Sequence, residues 1–236
     1  MGRLLLLMTE PLNSYGDVVR PTEGGHGMDI ASQRVDELDR WAIERVEALH
    51  AVRAVCALEL GCGHGGQAAR LARAGAQVLA IDVVDHAVQV AASMREQGIE
   101  ASTWAFRCIG IERVASLGVQ ADVIVCQRMI HYLRWRDALD ALSALRRSAA
   151  DAAMLYLSAS GIDSELGDGY PDRDVDVRRR FALLRQDRAE HHGITHPVCL
   201  YREGELAALV HDAGWSVRRV FRSDFGNVKL VASNER

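Results

Sequence analysis

The stretch "ALELGCGHGGQAARLARAGAQVLAIDVVD", residues 57–85, constrains the fold more than any other part of the chain. An apolar run meets a cluster of glycines, a helix-like segment follows, and a second apolar run ends on an acid. Glycine lets a strand turn sharply into a helix and lets backbone N–H groups approach a ligand closely. The stretch therefore predicts a strand–turn–helix–strand unit with a nucleotide-like ligand at the turn.

Short apolar runs alternate with helix-like segments along most of the chain, which predicts parallel strands joined by helices. The last two runs, "SVRRVF" and "NVKLVAS", are separated by too few residues for a helix, so they must pair antiparallel. We therefore expect an α/β fold: a doubly wound, mostly parallel seven-stranded sheet with an antiparallel last strand and helices on both faces. The seven predicted strands read "AVCALEL", "AQVLAID", "ASTWAF", "ADVIVC", "AAMLYLS", "SVRRVF" and "NVKLVAS".

Two segments fall outside this alternation. Residues 1–50 read as an N-terminal arm followed by a helix from Asp29 to about His50, and we expect them to cover the active site. Residues 51–236 form the main domain, with a lid-like insertion at about 161–199 that is polar and rich in His and Arg. Within it, "RRR" at 178–180 is typical of a solvated helix face, with an anion-binding patch as the alternative.

The glycines alone leave two ligands open. Gly61, Gly63 and Gly66 satisfy the G-x-G-x-x-G pattern of dinucleotide sites, with an acid, Asp82, about twenty residues on. Gly61, Gly63 and Gly65 equally satisfy G-x-G-x-G. Glu59 favours the second reading, because a carboxylate beside this turn would repel a pyrophosphate but attract a ligand that carries an ammonium and a sulfonium.

On these residues the chain resembles a known family. "LELGCGHGG" is similar to motif I of the Rossmann-like (class I) S-adenosylmethionine (SAM)-dependent methyltransferases, "VLAID" to their second motif, and "ADVIVCQRMIHYL" to the fourth-strand motif of their small-molecule members. The antiparallel closing pair matches the same family. The resemblance implies that SAM is the cofactor and that residues 51–236 are a methyltransferase domain.

The resemblance also implies roles for individual residues. Glu59 and the glycine turn would hold the methionine part, Asp82 would accept both ribose hydroxyls, and Val83 would pack on adenine. The family often has an Asp after the third strand to accept from the adenine amino group, but "AFRCIGIER" has none, which leaves a backbone carbonyl or Glu112. The complete predicted cofactor set is Glu59, Gly61, Gly63, Gly65, Asp82, Val83, Cys126, Gln127 and Arg128.

His131 follows the fourth predicted strand, at the edge of the sheet where ligands bind in open α/β folds, and is the candidate catalytic base. A packing or helix-start histidine is the alternative. Tyr15, Tyr170 and His192 lie in the two covering segments and are candidate substrate contacts. His192 and His196 are four residues apart, but Gly193 and Pro197 argue against a helix there, so no metal site is predicted.

Several function classes are disfavoured by what the sequence lacks. The net charge of −4 gives no basic stripe, and "CQRM" stands where amino-methylating nucleic-acid enzymes carry an N-P-P-Y-type motif, so a nucleic-acid partner is not expected. The N-terminal "LLLL" is too short for a membrane span. Five scattered cysteines indicate a reduced, cytoplasmic protein. The sequence thus favours methyl transfer to a small-molecule acceptor, against an NAD(P)-dependent oxidoreductase or a non-catalytic SAM-binding module, and predicts no oligomeric state.

Overall fold

The computed structural model describes residues 18–19, 21–30 and 32–235. Seven strands form one sheet in the order β3-β2-β1-β4-β5-β7-β6. The strands are β1 Val55–Leu60, β2 Ala76–Asp82, β3 Trp104–Cys108, β4 Val123–Gln127, β5 Met154–Ala159, β6 Ser216–Arg222 and β7 Val228–Ser233. The helices are α1 Glu37–His50, α2 Gly66–Arg73, α3 Ala87–Glu96, α4 Trp135–Ser148, α5 Gln186–His192 and α6 Glu203–Asp212.

The pairing of the strands confirms the predicted fold. The pairs formed among β1 to β5 are all parallel. β7 lies between β5 and β6 and is antiparallel to both. The strand order reverses between β1 and β4, and in open α/β sheets this switch point opens a crevice at the carboxyl ends of the strands.

Helices cover both faces of the sheet. On one face α4 and α6 pack on β4, β5 and β7, and the indole Nε1 of Trp215 donates to the Leu142 carbonyl at 3.0 Å. On the other face α1, α2 and α3 pack on β1 and β2 through residues such as Leu38 and Leu71. Strands buried on both faces explain the nearly continuous apolar runs in the sequence.

The first long helix starts later than its apolar periodicity indicates. We predicted a helix from Asp29, but α1 begins at Glu37. Asp36 closes a capping box: its Oδ1 accepts from the Asp39 N–H at 3.1 Å, and Asp39 Oδ2 accepts from the Asp36 N–H at 2.9 Å. Because this arrangement satisfies the free donors of the first turn, it fixes the helix start. Asp29 instead contacts His64, with 2.9 Å between Oδ2 and Nδ1.

The insertion at 161–199 has a small core of its own, contributed by Ile162, Leu166, Tyr170, Leu184, Ile194, Val198 and Leu200. Arg180 is buried, so the expectation of a solvated "RRR" face is wrong at this residue. Its guanidinium pairs with Glu205 on α6 and donates to the carbonyls of Val175 and Leu200. This ion pair attaches the insertion to the main domain. Among the described residues, the helices are too short or too polar to cross a membrane.

Candidate active site

A cavity of about 410 Å³ opens where β1, β2 and β4 end. Its walls include the residues that directly follow these strands: Gly61 after β1, Val83 after β2 and Arg128 after β4. The N-terminal segment 22–30 and parts of the insertion complete the lining. The volume lies within the roughly 300–1,000 Å³ typical of small-molecule and cofactor sites.

The glycine turn forms the floor of this cavity. Gly61 has a φ of +69°, and a Cβ there would lie 2.8 Å from the side chain of Met129. A side chain at this position would therefore be strained by its backbone and by its neighbour. Gly63 lines the cavity and its N–H donates to Asp82 Oδ2 at 2.9 Å. Gly65 has a φ of +80° and precedes α2, so it serves the turn and does not line the cavity.

Two buried carboxylates lie in the cavity wall. Glu59 is only 4% exposed, and its Oε2 has no hydrogen-bond partner among the residues that the structure describes. Burial, reinforced by the charge of Asp39, raises the pKa of Glu59 to about 8. Burial and the neighbouring Asp36 likewise raise the pKa of Asp39 to about 6. A nearby cation stabilises the ionised form of a carboxyl group whose pKa is raised by burial and by a neighbouring negative charge.

Asp82, at the end of β2, faces the same space and has backbone partners on both oxygens. Its Oδ2 accepts from Gly63, and its Oδ1 accepts from the Val84 N–H at 3.0 Å. These bonds fix the carboxylate while leaving lone pairs on each oxygen. Val83 is 61% exposed beside it, an apolar surface open to a flat ligand. Glu112 also lines the cavity, together with Ile109 and Ile111.

At the end of β4 and just after it, two residues line the cavity and one lies in the core. Gln127 lines the cavity and donates from Nε2 to Asp39. Arg128 lines it from a left-handed backbone with a φ of +51°, and its N–H donates to the Ser158 carbonyl at 2.9 Å. Burial lowers the pKa of Arg128, against the opposing charges of Asp36 and Asp39. Cys126 lies in the buried core and not in the cavity wall, because alternate residues of a strand point to opposite faces.

His131 lines the cavity on the short helix Ile130–Tyr132. Ser160, at the end of β5, approaches both ring nitrogens: its N–H lies 3.4 Å from Nδ1 and its Oγ 3.5 Å from Nε2. Burial, with the charge of Arg128 second, lowers the pKa of His131 to about 3. The imidazole is therefore neutral across ordinary pH values and weakly basic.

The two covering segments are bound to each other above the cavity. The Gly27 N–H donates to the Gly193 carbonyl at 3.1 Å, and the Thr195 N–H donates to the Gly25 carbonyl at 3.0 Å. His26 stacks on His196 with 4.4 Å between ring centroids. This pairing seats the N-terminal segment on the insertion, and the His196 Nε2 lies 2.6 Å from the Gly24 carbonyl oxygen.

The predicted substrate contacts have different locations. His192 lines the cavity. Tyr170 does not: its hydroxyl donates to the Val198 carbonyl at 2.5 Å, and its ring packs in the core of the insertion. Tyr15 lies outside the described residues. Tyr170 therefore holds the insertion together and does not converge with His131 on the cavity.

Sequence reasoning missed several cavity residues, chiefly Asp39, Ser160 and Tyr132. Asp39 had a readable signal, because "DELD" carries an acid at the N-cap and another three residues later, a pattern close to a capping box. Ser160 and Tyr132 carry no comparable signal, since each enters the site only through the packing of β5 and of the turn after β4.

This chain is similar to a known family model in sequence and to solved structures in fold. Residues 57–151 match the family model described as a methyltransferase domain. This region, which holds the glycine turn, β2, β3 and β4, is therefore similar to a methyltransferase domain. No curated protein matches the chain in sequence.

Solved structures share the fold of this chain at low identity. A SAM-dependent methyltransferase from Clostridium acetobutylicum is 12% identical, with a TM-score of 0.64 over 86% of this chain and 94% of that one. A 1,6-didemethyltoxoflavin N1-methyltransferase from Burkholderia thailandensis, with its acceptor and S-adenosylhomocysteine bound, is 15% identical, with a TM-score of 0.59 over 85% and 79%.

An O-methyltransferase family protein from Burkholderia thailandensis is 17% identical, with a TM-score of 0.58 over 83% of this chain. The chain covers only 56% of the length of that protein. The longer relative therefore contains a large part that has no counterpart in this chain.

Proposed function

We propose that this protein is a methyltransferase that transfers the methyl group of SAM to a small-molecule acceptor. The observation that carries the proposal is the buried Oε2 of Glu59, which has no hydrogen-bond partner among the described residues and faces a ligand-sized cavity. A carboxylate oxygen in this position is costly unless a donor or a cation meets it. The ammonium of SAM supplies both.

The residues around Glu59 fit the remaining parts of SAM. Asp39 adds a second negative charge on the side of the methionine ammonium and the sulfonium. Gly61 and Gly63 allow close approach of the backbone, Asp82 keeps lone pairs for the ribose hydroxyls, and Val83 offers an apolar face to adenine. The similar fold from Burkholderia thailandensis was crystallised with S-adenosylhomocysteine, the product of such a transfer.

SAM supplies a methyl carbon that is already activated by positive sulfur, so the protein has to align a nucleophile and exclude water. His131 is the proposed catalytic residue and contacts the acceptor as a neutral imidazole held by Ser160. Because its pKa is about 3, it is a weak base, suited to an acceptor whose nucleophilic atom loses its proton easily. The paired covering segments keep water from the cavity.

A small acceptor suits the enclosed cavity and the absence of a basic stripe in the sequence. The relative with a known acceptor in its structure acts on 1,6-didemethyltoxoflavin, a small molecule. We also propose a cytoplasmic location, because all five cysteines are free thiols and none pairs in a disulfide.

Titration of the full chain with SAM and with NADH or NADPH tests the cofactor. We expect SAM and S-adenosylhomocysteine to bind, and Asp82→Ala to weaken their binding by ~2–4 kcal/mol, since each charged hydrogen bond contributes roughly 1.5–3 kcal/mol before water compensates. Asp85→Ala, which changes an exposed acid three residues along the chain, should leave binding intact. Binding of a nicotinamide cofactor without SAM would favour an oxidoreductase.

Mass spectrometry of a cell extract incubated with the protein and isotope-labelled SAM tests the transfer. We expect the label on one or a few small molecules only when the active protein is present. Labelled protein or nucleic acid would contradict the proposed acceptor class. SAM binding without any labelled product would favour the non-catalytic module.

A further inference from the structure

Three side chains of types that bind metal ions meet on the part of the cavity wall that the insertion contributes. Glu165 comes from the short helix Glu165–Gly167, and His191 and His192 from the end of α5. One donor atom from each lies within 4.8 Å of the others, and the Glu165 Oε2 is 3.4 Å from the His192 Nε2. All three residues line the same cavity as Glu59.

The position of His192 suits a metal ligand. Its Nε2 is inaccessible to solvent and faces the Glu165 carboxylate at 3.4 Å. Imidazole is the commonest metal ligand in proteins, and two imidazoles with one carboxylate form a known zinc ligand set.

The backbone that carries these ligands is held in place. α5 ends at Gly193, whose φ of +65° turns the chain, and the carbonyl of Gly193 accepts from Gly27. The short helix that carries Glu165 is capped by Ser164 and is tied by Arg173, whose Nη1 donates to the Gly167 carbonyl at 3.2 Å. Arg188, the nearby cation on α5, is neutralised by Asp168 at 2.7 Å.

We propose that Glu165, His191 and His192 bind one divalent transition-metal ion, with Zn²⁺ the best match to two imidazoles and one carboxylate. Donor atoms bound at about 2.0–2.2 Å to one tetrahedral zinc lie roughly 3.3–3.6 Å from each other. Glu165 and His192 already have this spacing at 3.4 Å, and the exposed side chain of His191 can move to complete the site. Three protein ligands leave a coordination position open, as in catalytic zinc sites.

The open position gives the ion a role that rests on the proposed methyl transfer. His131 is too weak a base to deprotonate an ordinary alcohol, whereas a bound Zn²⁺ lowers the pKa of an oxygen or sulfur ligand by several units. The site would therefore select acceptors with a hydroxyl or thiol group near the transferred methyl. Metal binding itself does not require SAM, so the two proposals can fail separately.

The test is a titration of tag-free, chelator-treated full chain with Co²⁺, followed by visible absorption, and with Zn²⁺, followed by calorimetry. We expect one ion per chain and a d–d spectrum typical of low coordination number. Glu165→Gln, His191→Ala and His192→Ala should each weaken binding at least tenfold, within the range of losses expected for metal-site partners.

His211→Ala is the matched control, because His211 also stands beside a carboxylate, Asp212, but its side chain is exposed on α6. It should leave metal binding unchanged. S-adenosylhomocysteine binding to each variant reports whether the variant is folded. Absence of a stoichiometric ion, or equal metal affinity in wild type and His192→Ala, would overturn the site. Failure of SAM to bind would overturn the proposed function and leave the metal result standing.

Discussion

We expect Glu59 to couple SAM binding to proton release. In the free protein its pKa is about 8, so it is mostly protonated at pH 7, whereas an ammonium selects the carboxylate. SAM affinity should therefore rise with pH, by up to about tenfold per unit, and level off above pH 8. Asp39, with a pKa of about 6, steepens this dependence at lower pH. Calorimetry from pH 6 to 9, in buffers of different ionisation enthalpy, measures both affinity and the released proton.

Glu59→Gln is the control for this prediction, since it keeps the shape of the side chain and removes its charge. The variant should bind SAM more weakly, and its affinity should no longer change between pH 7 and pH 9. An unchanged pH dependence in the variant would assign the proton to another group.

The same residue shows how far the site could be predicted from the sequence. A lone acid in an apolar strand is visible by inspection, and so are the glycines and the acid that ends the next strand. Cys126 was placed in the site by the family resemblance, and Tyr170 by its position in the insertion. The side to which each points depends on the strand register and on the packing of the insertion, which local sequence does not specify.

At the scale of elements, the strands were predictable because each combines apolar residues with a turn signal. The antiparallel β6–β7 pair followed from the length of its connection alone. The start of α1 was predicted wrongly because the apolar spacing continues upstream of Asp36, while the capping box decides where the helix begins. The insertion was recognisable only as a break in the pattern, since its contacts are with distant parts of the chain.

Arg180 should be the residue on which the attachment of the insertion depends. Arg180→Met leaves Glu205 and the carbonyls of Val175 and Leu200 without their buried partner. Removing one member of a buried pair costs roughly 3–5 kcal/mol of unfolding free energy. Urea unfolding should show this loss. Arg179→Met, one residue away and exposed, should have the unfolding free energy of the wild type. A similar loss of unfolding free energy in both variants would contradict the role assigned to Arg180.

At the scale of the whole molecule, the covering segments should respond together to cofactor binding. With S-adenosylhomocysteine bound, amide hydrogen exchange should slow at the glycine turn and in both covering segments, residues 21–28 and 161–199. Ligand binding that stabilises the closed form reduces local opening. α4, which lies away from the cavity, should exchange at an unchanged rate.

Slower exchange at the glycine turn, with unchanged exchange in both covering segments, would contradict this prediction. The acceptor would then enter through an open cleft. Protection of one segment alone would contradict the coupling between them.

The backbone pairing of residues 25–27 with residues 193–195 also bears on the order of events in turnover. Because hydrogen bonds join the two segments directly, a movement that lifts one away from the sheet carries the other with it. A single opening therefore exposes both the donor end and the acceptor end of the cavity. Spent cofactor and methylated product would leave through the same opening step, so the steady-state rate with different good acceptors would converge on one common limit.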